Sequence, residues 1–556
     1  MPDSSSSPNF MEICRHWLDR NIFELGRELR LSFLPPLMVY LAAGVSGLTG
    51  IVGTFFVKDY LGLSAEFLAA LGFWTMLPWT LKMPLGHLVD LLWHHKSKLI
   101  FVGASLIAAS LLIMLGLLAN PVVMREVLPA ETWYVLAALL APVGYVLQDT
   151  VADAMTVEAV PRVDEAGQPL DAESIRLAHT TMQTLGRVAI IGGTLLVAAA
   201  NVYLFSGTEN LDAAAKAAIY VRIYQLALLI PLISVAGVLL AAHVRNREVR
   251  RLAAQGLEFD QITRLLARPE EEATEVNSWL LGGSLAFVLF SLAMGLSPIP
   301  FNEEIVFAGS LGIVLFLMAR LTKELEPTPR RELFGIALVI FAFRAAPVTG
   351  AGSSWWMIDE LGFDQAFLSK LSLLASSLTL MGMFLFRRFM AERPITYIVA
   401  FLTIILTVLS LPNIAMYYGL HQWTAAHTGG MVDARFIAVV DTALESPLGQ
   451  IAMIPMLAWI ANSAPARLKA TYFAVMAAFT NLALSLSQLG GKYLNQWFPV
   501  TREVRDPVSG AVTLPADYSE LGLLLIAATL IGLALPLGAI FAAKRTLLPN
   551  GERAVS

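Results

Sequence analysis

Long apolar runs alternate with short polar segments along almost the whole chain. Leu34–Val57 and Leu99–Val123 hold 24 and 25 residues without a charge. A helix needs about 20 mostly apolar residues to cross the hydrocarbon layer of a membrane. Between these runs, Ser64–Trp93 is apolar apart from Glu66, Lys82 and Asp90. Three more candidates follow, Thr132–Val160, Leu177–Ser206 and Ile219–Ala242. A charged stretch from His243 to Glu275 then reads as a solvated, partly helical linker. Trp279–Leu296 and the shorter Ile305–Ala319 make the two arms of a predicted hairpin that turns at SPIP. Six further spans complete the pattern: Leu333–Met357, Phe367–Phe386, Ile395–Leu420, Phe436–Ala461, Ala470–Trp497 and Leu521–Ala543.

The pattern predicts fourteen spans, grouped six, two and six. The expected organisation begins with an N-terminal segment, 1–33. Within it, Phe10–Arg30 mixes apolar and charged residues and lies along the membrane surface. A six-helix bundle (34–242), a linker (243–276), the hairpin (277–322), a second six-helix bundle (323–544) and a tail (545–556) follow. With the N-terminus inside, cytoplasmic loops hold about 26 of the 38 basic residues and external loops about 7, a positive-inside bias. The remaining five, Lys82, Arg187, Arg344, Lys370 and Lys492, fall within spans. Both termini are therefore expected in the cytoplasm.

Composition narrows the function class. Of 556 residues, 56% are apolar and 15% charged, and the mean hydropathy is +0.66. Soluble domains carry about 25% charged residues, so a disordered chain and an ordinary soluble enzyme are excluded. A net charge of −5 without a basic domain excludes a nucleic-acid partner. The single cysteine, Cys14, rules out an internal disulfide and a cysteine-based metal site. The opening MPDSSSSPNF shows no signal-peptide pattern. Nucleotide-binding and HExxH motifs are missing and the eight histidines are scattered. Neither an enzyme nor a cofactor or metal site is expected.

The halves resemble each other at one junction. VKDYLGLSAEFLAAL (Val57–Leu71) and MIDELGFDQAFLSKL (Met357–Leu371) match without a gap at Asp59/Asp359, Leu61/Leu361, Gly62/Gly362, Phe67/Phe367, Leu68/Leu368 and Leu71/Leu371. Each joins the first and second spans of its bundle. A parallel repeat of six-span bundles is the architecture of major facilitator transporters, which bind solute between the halves near the midplane. The fold expected is an all-α membrane protein of that kind, with an inserted helical hairpin.

Charges inside spans are costly, about 2.5–3.5 kcal/mol each at the bilayer centre, and persist where they face a cavity or a partner. Lys82 lies deep in the second span, on one face with Gly86 and Asp90. It can hold an anionic solute or pair with an acid of a neighbouring helix. Asp149 and Asp153 in the fourth span share a face, and two close carboxylates disfavour joint ionisation. They can couple protons, or one of them neutralises Lys82 or Arg187. Glu158 sits about 140° round the helix from Asp153 and near its cytoplasmic end, where an interface or loop contact is expected. Gln183 and Arg187 are four apart in the fifth span. Arg344 is deep in FAFRAAPVTGAGSSWW, beside a Pro/Gly break of the sort that lines solute sites. Asp441 and Glu445, again four apart, suggest external gating or packing. Lys370 and Lys492 lie near span ends and are expected to snorkel. Trp residues near span ends, Trp355 and Trp356 included, read as interface anchors. Trp79, next to Pro78 and three residues before Lys82, is the aromatic placed to stack on a flat heterocycle.

FFVKDYLGLSAEFLAALGFWTMLPWTLKMPLGHLVD resembles the opening of the folate–biopterin transporter family, through Lys58, Asp59, Leu61, Gly62, Pro78, Trp79, Lys82, Gly86 and Asp90. Pro84 stands one position beyond the family's usual proline. QDTVADAMTVE resembles the family's acidic segment through Asp149, Asp153 and, with one extra residue of spacing, Glu158. ELGFDQAFLSKLSLLASSLTLMGMFLFRRF and SAPARLKATYFAVMAAFTNLALSLSQLGGKYL are similar to segments of the family's second half. The Gly86–Asp90 spacing followed by His94, Lys96 and Lys98 resembles the loop after the second helix of major facilitators, which implies a gating or structural role for Asp90. The resemblance implies a secondary, proton-linked symporter of folates or pterins, acting by alternating access as a monomer in a cell (inner) membrane. Its partners would be an anionic solute, protons and the lipid bilayer. Lys82, Arg187 and Arg344 would attract the carboxylated tail, Trp79 and Gln183 would contact the ring, and Asp149 and Asp153 would couple protons. The family usually has twelve spans. Muropeptide permeases, with fourteen and a similar Q-D-x-x-x-D segment, rank second, and a non-transporting assembly factor of the same fold is a third reading.

Overall fold

A computed structural model describes residues 29–160, 170–208, 211–258, 261–262, 278–295, 297, 299–323, 326–386, 389–390, 393–449, 451, 456, 469–505 and 512–548. The expected surface segment Phe10–Arg30 up to residue 28, most of the charged linker beyond 262 and the tail from 549 fall outside them.

Apolar length sets the elements. The first span is a rod, α1 (Leu34–Val45) and α2 (Gly50–Tyr60), joined by one tight turn at Ser46–Thr49. The second is interrupted: α3 (Ala65–Met76) passes through a 3-10 segment at Leu77–Leu81 into α4 (Lys82–Leu91). Pro78, lacking an N–H, favours this local change of pitch. Single helices follow, α5 (Ser97–Ala119), α6 (Ala130–Ala159) and α7 (Ala172–Leu204). The sixth span divides into α8 (Ala213–Ala227) and α9 (Leu229–Ala254), and α9 carries the first turns of the charged stretch. The hairpin is α10 (Ser278–Gly295) and α11 (Asn302–Leu321), its second arm longer than the apolar run because Glu303 and Glu304 join its first turn.

In the second bundle, α12 (Pro327–Arg344) and α13 (Ala351–Asp359) are separated at AAPVTG, where Gly350 takes φ +79°. Carbonyls freed there are satisfied by the neighbouring helix α17 (Lys469–Trp497). Ser487 donates to Ala346 O and Asn495 to Thr349 O at 3.2 Å. Such pairing is what permits broken helices at membrane depth. α14 (Gln365–Leu385), α15 (Ile395–Tyr417), α16 (Ala434–Glu445) and α18 (Leu521–Thr546) complete the bundle. The stretch after α16, expected to finish the span to Ala461, lies mostly outside the described residues. Among the described residues, nine helices are long and apolar enough to cross a membrane.

Small residues let helices approach closely, as membrane packing requires. A Cβ at Gly144 of α6 would stand 2.7 Å from Gly103 O of α5 and 2.8 Å from Ile107. Gly144→Val is therefore expected to force α5 and α6 apart at a cost of about 1–3 kcal/mol. Thermal unfolding of the purified protein checks this, with Gly192→Ala, which meets nothing within 4 Å, as the silent control.

The first bundle's core gathers Phe55 and Phe56 of α2, Ile107 and Met114 of α5, and Ile223 and Tyr224 of α8. The second gathers Ile336 and Ile340 of α12, Val475 and Phe479 of α17, and Ile540 of α18. The hairpin seals the seam between them. Phe287 and Val306 pack against Phe73 and Leu77 of the first bundle and Leu482 and Leu489 of α17. Lys492 corrects one expectation. It does not snorkel but pairs with Glu303 (3.3 Å) and Glu304 (3.1 Å), because the hairpin brings two carboxylates to it. Lys370 is exposed.

Candidate functional site

Two charge centres of different character lie at the helix breaks. The first belongs to the N-terminal bundle. The 3-10 segment places Lys82 as the first residue of α4, facing α6. Its Nζ lies 2.6 Å from Asp149 Oδ2 and 2.7 Å from Asp153 Oδ2. The four-residue spacing of the two acids puts both on one face, as read from the sequence. Tyr40 of α1, which the sequence reading passed over, donates its hydroxyl to Asp153 Oδ1 at 2.6 Å. One ammonium between two carboxylates leaves one negative charge over, and a single proton neutralises the group. The acids differ in access: the Asp149 side chain is 15% exposed and that of Asp153 41%. Asp153 is thus the one that exchanges with solvent more readily.

Gln183 joins this centre through a hydroxyl. Its Nε2 donates to Thr156 Oγ1 at 3.3 Å, and Thr156 donates to Asp153 O at 2.6 Å. Arg187, one turn along the same helix, acts electrostatically on Asp149 and Tyr40. It forms no ion pair within 4.0 Å among the described residues.

The second centre sits where α12 ends. The Arg344 guanidinium is partly buried and its hydrogen-bond partners are neutral: Asn481 Oδ1 at 3.3 Å and Met456 Sδ at 3.7 Å. No carboxylate lies within ion-pair distance of it among the described residues. Asn481 in turn donates its Nδ2 to Trp79 O at 3.2 Å. That carbonyl belongs to the 3-10 turn three residues before Lys82, so Asn481 links the two bundles between the two charge centres.

The remaining expected residues are dispersed. Glu158 pairs with Lys96, a buried lysine that also donates to Trp93 O and stands over the Trp93 ring. Asp90 lies in α4, with its side chain outside the described set. Asp441 is buried and accepts from Asn413 Nδ2 at 2.8 Å, its Oδ1 making no hydrogen bond among the described residues. Glu445, one turn on, is exposed. Trp355 and Trp356 are core residues, 1% and 6% exposed, and not interface anchors, because the α12/α13 break turns them inward onto Phe363, Phe367 and Tyr518. Among the described residues no cluster of three His, Cys, Asp or Glu side chains could hold a metal ion.

At the far end from Lys96, three polar contacts join the bundles. Lys58 Nζ lies 2.6 Å from Asp359 Oδ1, Gln365 donates to Tyr220 at 2.7 Å and Gln496 to Glu66 at 2.6 Å. Asp359 Oδ2 also accepts from Tyr518 at 2.5 Å. Burial and this carboxylate raise the pKa of the Tyr518 hydroxyl above its ordinary value, so it remains a donor at neutral pH. Tyr518 belongs to a segment the span pattern left as loop. There Val504–Arg505 pairs antiparallel with Val512–Leu514, and Thr501 with Asp517.

The BT1 family model matches residues 43–553. A curated folate-biopterin transporter from Synechocystis sp. is 23% identical over 481 residues, covering 86% of this chain and 77% of its own. Among solved structures, a mutant of the peptide transporter POT is 15% identical and covers 93% of this chain and 95% of its own, with a TM-score of 0.56. A POT family transporter in complex with 5-aminolevulinic acid is 11% identical and covers 94% and 96%, with a TM-score of 0.57. Identities this low show the fold alone, and it is that of the major facilitator transporters. These relatives are transporters, not enzymes.

Proposed function

The chain belongs to the BT1 family, and from that premise we propose that it is a proton-coupled carrier of folate- or pterin-type organic anions, working by alternating access. The observation that carries this reading is the contrast between the two charge centres. Lys82 is already neutralised by Asp149 and Asp153, whereas the partners of Arg344 among the described residues are neutral. A guanidinium held among neutral groups in a membrane protein is suited to receive a planar carboxylate through its two parallel N–H groups. Arg344, assisted by Arg187, takes the carboxylated tail. Trp79 and Gln183 meet the ring and its polar edge.

Asp149 and Asp153 carry the proton. With both ionised the Lys82 group bears one excess negative charge, which opposes an anionic solute; one proton on the acid pair removes it. Solute and proton then cross together, and release of one favours release of the other. Lys82 becomes a second contact for the tail once the acid pair holds a proton. The Lys58 end is external and the Lys96 end cytoplasmic in the cell (inner) membrane, both termini lying inside. Asp90 and Glu158 steady the cytoplasmic end, and Asp441 and Glu445 act towards the external one. The protein works as a monomer.

Labelled folate and a neutral, tail-less pterin offered to proteoliposomes test the reading. An inward-directed proton gradient should drive folate accumulation that a protonophore abolishes. Accumulation of muropeptides in its place, or none of any solute, would contradict it.

A further inference from the structure

Arg502 is a buried arginine that the proposed transport cycle leaves without a task. It is 2% exposed, and its Nε and Nη2 make no hydrogen bond among the described residues. Its guanidinium stands 5.2 Å from the Trp355 ring centroid. Two acids act on it through space, Asp59 and Asp359, the pair matched in the internal repeat. Trp355 packs in one cluster with Tyr518, which bonds Asp359. Leaving buried guanidinium donors unpaired is costly, so they call for a partner in some other state of the molecule.

The charges divide evenly between the bundles. The first bundle contributes Lys58 and Asp59; the second contributes Asp359 and, on the loop before α18, Arg502. Here Lys58 reaches across the seam to Asp359 at 2.6 Å while staying 3.6 Å from its neighbour Asp59. Resting on the alternating-access reading, we propose that Arg502 is the replacement partner of Asp359, which it takes when the bundles part at this end. Lys58 then keeps Asp59, and each bundle leaves the seam with one cation and one carboxylate. Opening strands no buried charge, and Arg502 gains the partner it lacks. Asp359 serves as the shared element of two exclusive pairs, one across the bundles and one within the second.

The two cations consequently have opposite effects. Lys58→Ala removes the cross-bundle pair and favours the open end. Arg502→Gln removes the replacement partner and favours the closed end. Spin labels at Val123→Cys and Met431→Cys, both exposed at this end on opposite bundles, placed in a Cys14→Ser background, report the distance between bundles. In the wild-type protein two distance populations are expected. Lys58→Ala should raise the long-to-short ratio by about tenfold and Arg502→Gln lower it by about tenfold, between the values for exposed and buried pairs. Asp359→Asn removes both pairs at once and should leave the ratio near the wild-type value, and adding Arg502→Gln to it should change nothing further. That double variant keeps the test valid if Arg502→Gln alone lowers protein yield. An unchanged or raised ratio in Arg502→Gln, or a further shift in the double variant, would overturn the assignment. A single distance in the wild type and every variant would overturn alternating access and, with it, the assignment.

Discussion

Asp149→Asn should abolish concentrative folate uptake while leaving exchange of folate down its gradient intact, and Lys82→Ala should abolish both. The reasoning is charge counting within one cluster. Lys82, Asp149 and Asp153 form one ion-paired group with one carboxylate in excess, and on the proposed coupling that group takes up one proton. With asparagine at 149, Lys82 and Asp153 balance without a proton, and the gradient has nothing to push. With alanine at 82, two carboxylates face each other at mid-depth without their cation. Removing one partner of a buried pair costs about 3–5 kcal/mol, and the acids avoid that cost by holding protons throughout the cycle. The proton is then never released, which ends concentrative uptake, and the tail loses its second cationic contact at Lys82, which ends exchange. Uptake against the gradient is expected at roughly 1% of wild type or below in both variants, about 2.7 kcal/mol of lost driving interaction. Membrane abundance should be unchanged. Initial rates with and without a pH gradient, together with counterflow of labelled against unlabelled folate, separate the two defects. Unaltered uptake in both variants would refute the assignment.

The second large effect is expected at Arg344. Arg344→Gln should raise the KM for folate by about 30–5,000-fold, the range for losing a charged group that pairs with a buried carboxylate, about 2–5 kcal/mol. Arg344→Lys keeps the charge but loses the planar fork, and should recover only part of the affinity. A pterin without the carboxylated tail supplies the internal control. It has no group for Arg344, so its KM should be the same in wild type and both variants. If instead Arg344 holds the bundles together through Asn481 (3.3 Å) and the Trp79 carbonyl, both solutes lose transport equally. Asn481→Ala distinguishes further, since it severs the same link without touching the charge.

Several parts of this arrangement were legible in the residues alone. The four-residue spacing of Asp149 and Asp153 places both on one helical face, and Lys82 lay deep enough to need a partner. The alternative in which an acid neutralises Lys82 is the one observed, and both acids do so. The AAPVTG break beside Arg344 was visible as proline and glycine within an apolar run. Other parts had no local signal. Tyr40 sits among Leu, Val and Ala in an apolar run, and its role depends on which neighbour α1 meets. Asn481 is one amide in an apolar stretch, and its two contacts come from different spans. Lys492 read as a snorkelling residue because its partners lie 188 and 189 positions away in sequence, on a hairpin whose docking no periodicity reveals. Trp355 read as an anchor because the turn at the helix break, which points it inward, leaves no mark on hydropathy. Arg502 fell in a loop and carried no pattern until the fold set it over the Trp355 ring. Spacing within a helix is set by backbone geometry, whereas contacts between helices depend on packing.

The central claim is that solute carboxylate and coupling proton occupy separate centres on opposite bundles, Arg344 for the one and Lys82–Asp149–Asp153 for the other. A structure of the folate-bound protein at pH 5.5 tests it most directly. The account predicts a tail carboxylate within about 3 Å of the Arg344 guanidinium, the pteridine ring against Trp79 and Gln183, and the Lys82 group still assembled beside it. Folate bound with its tail turned away from Arg344, or seated outside the space between the bundles, would contradict it.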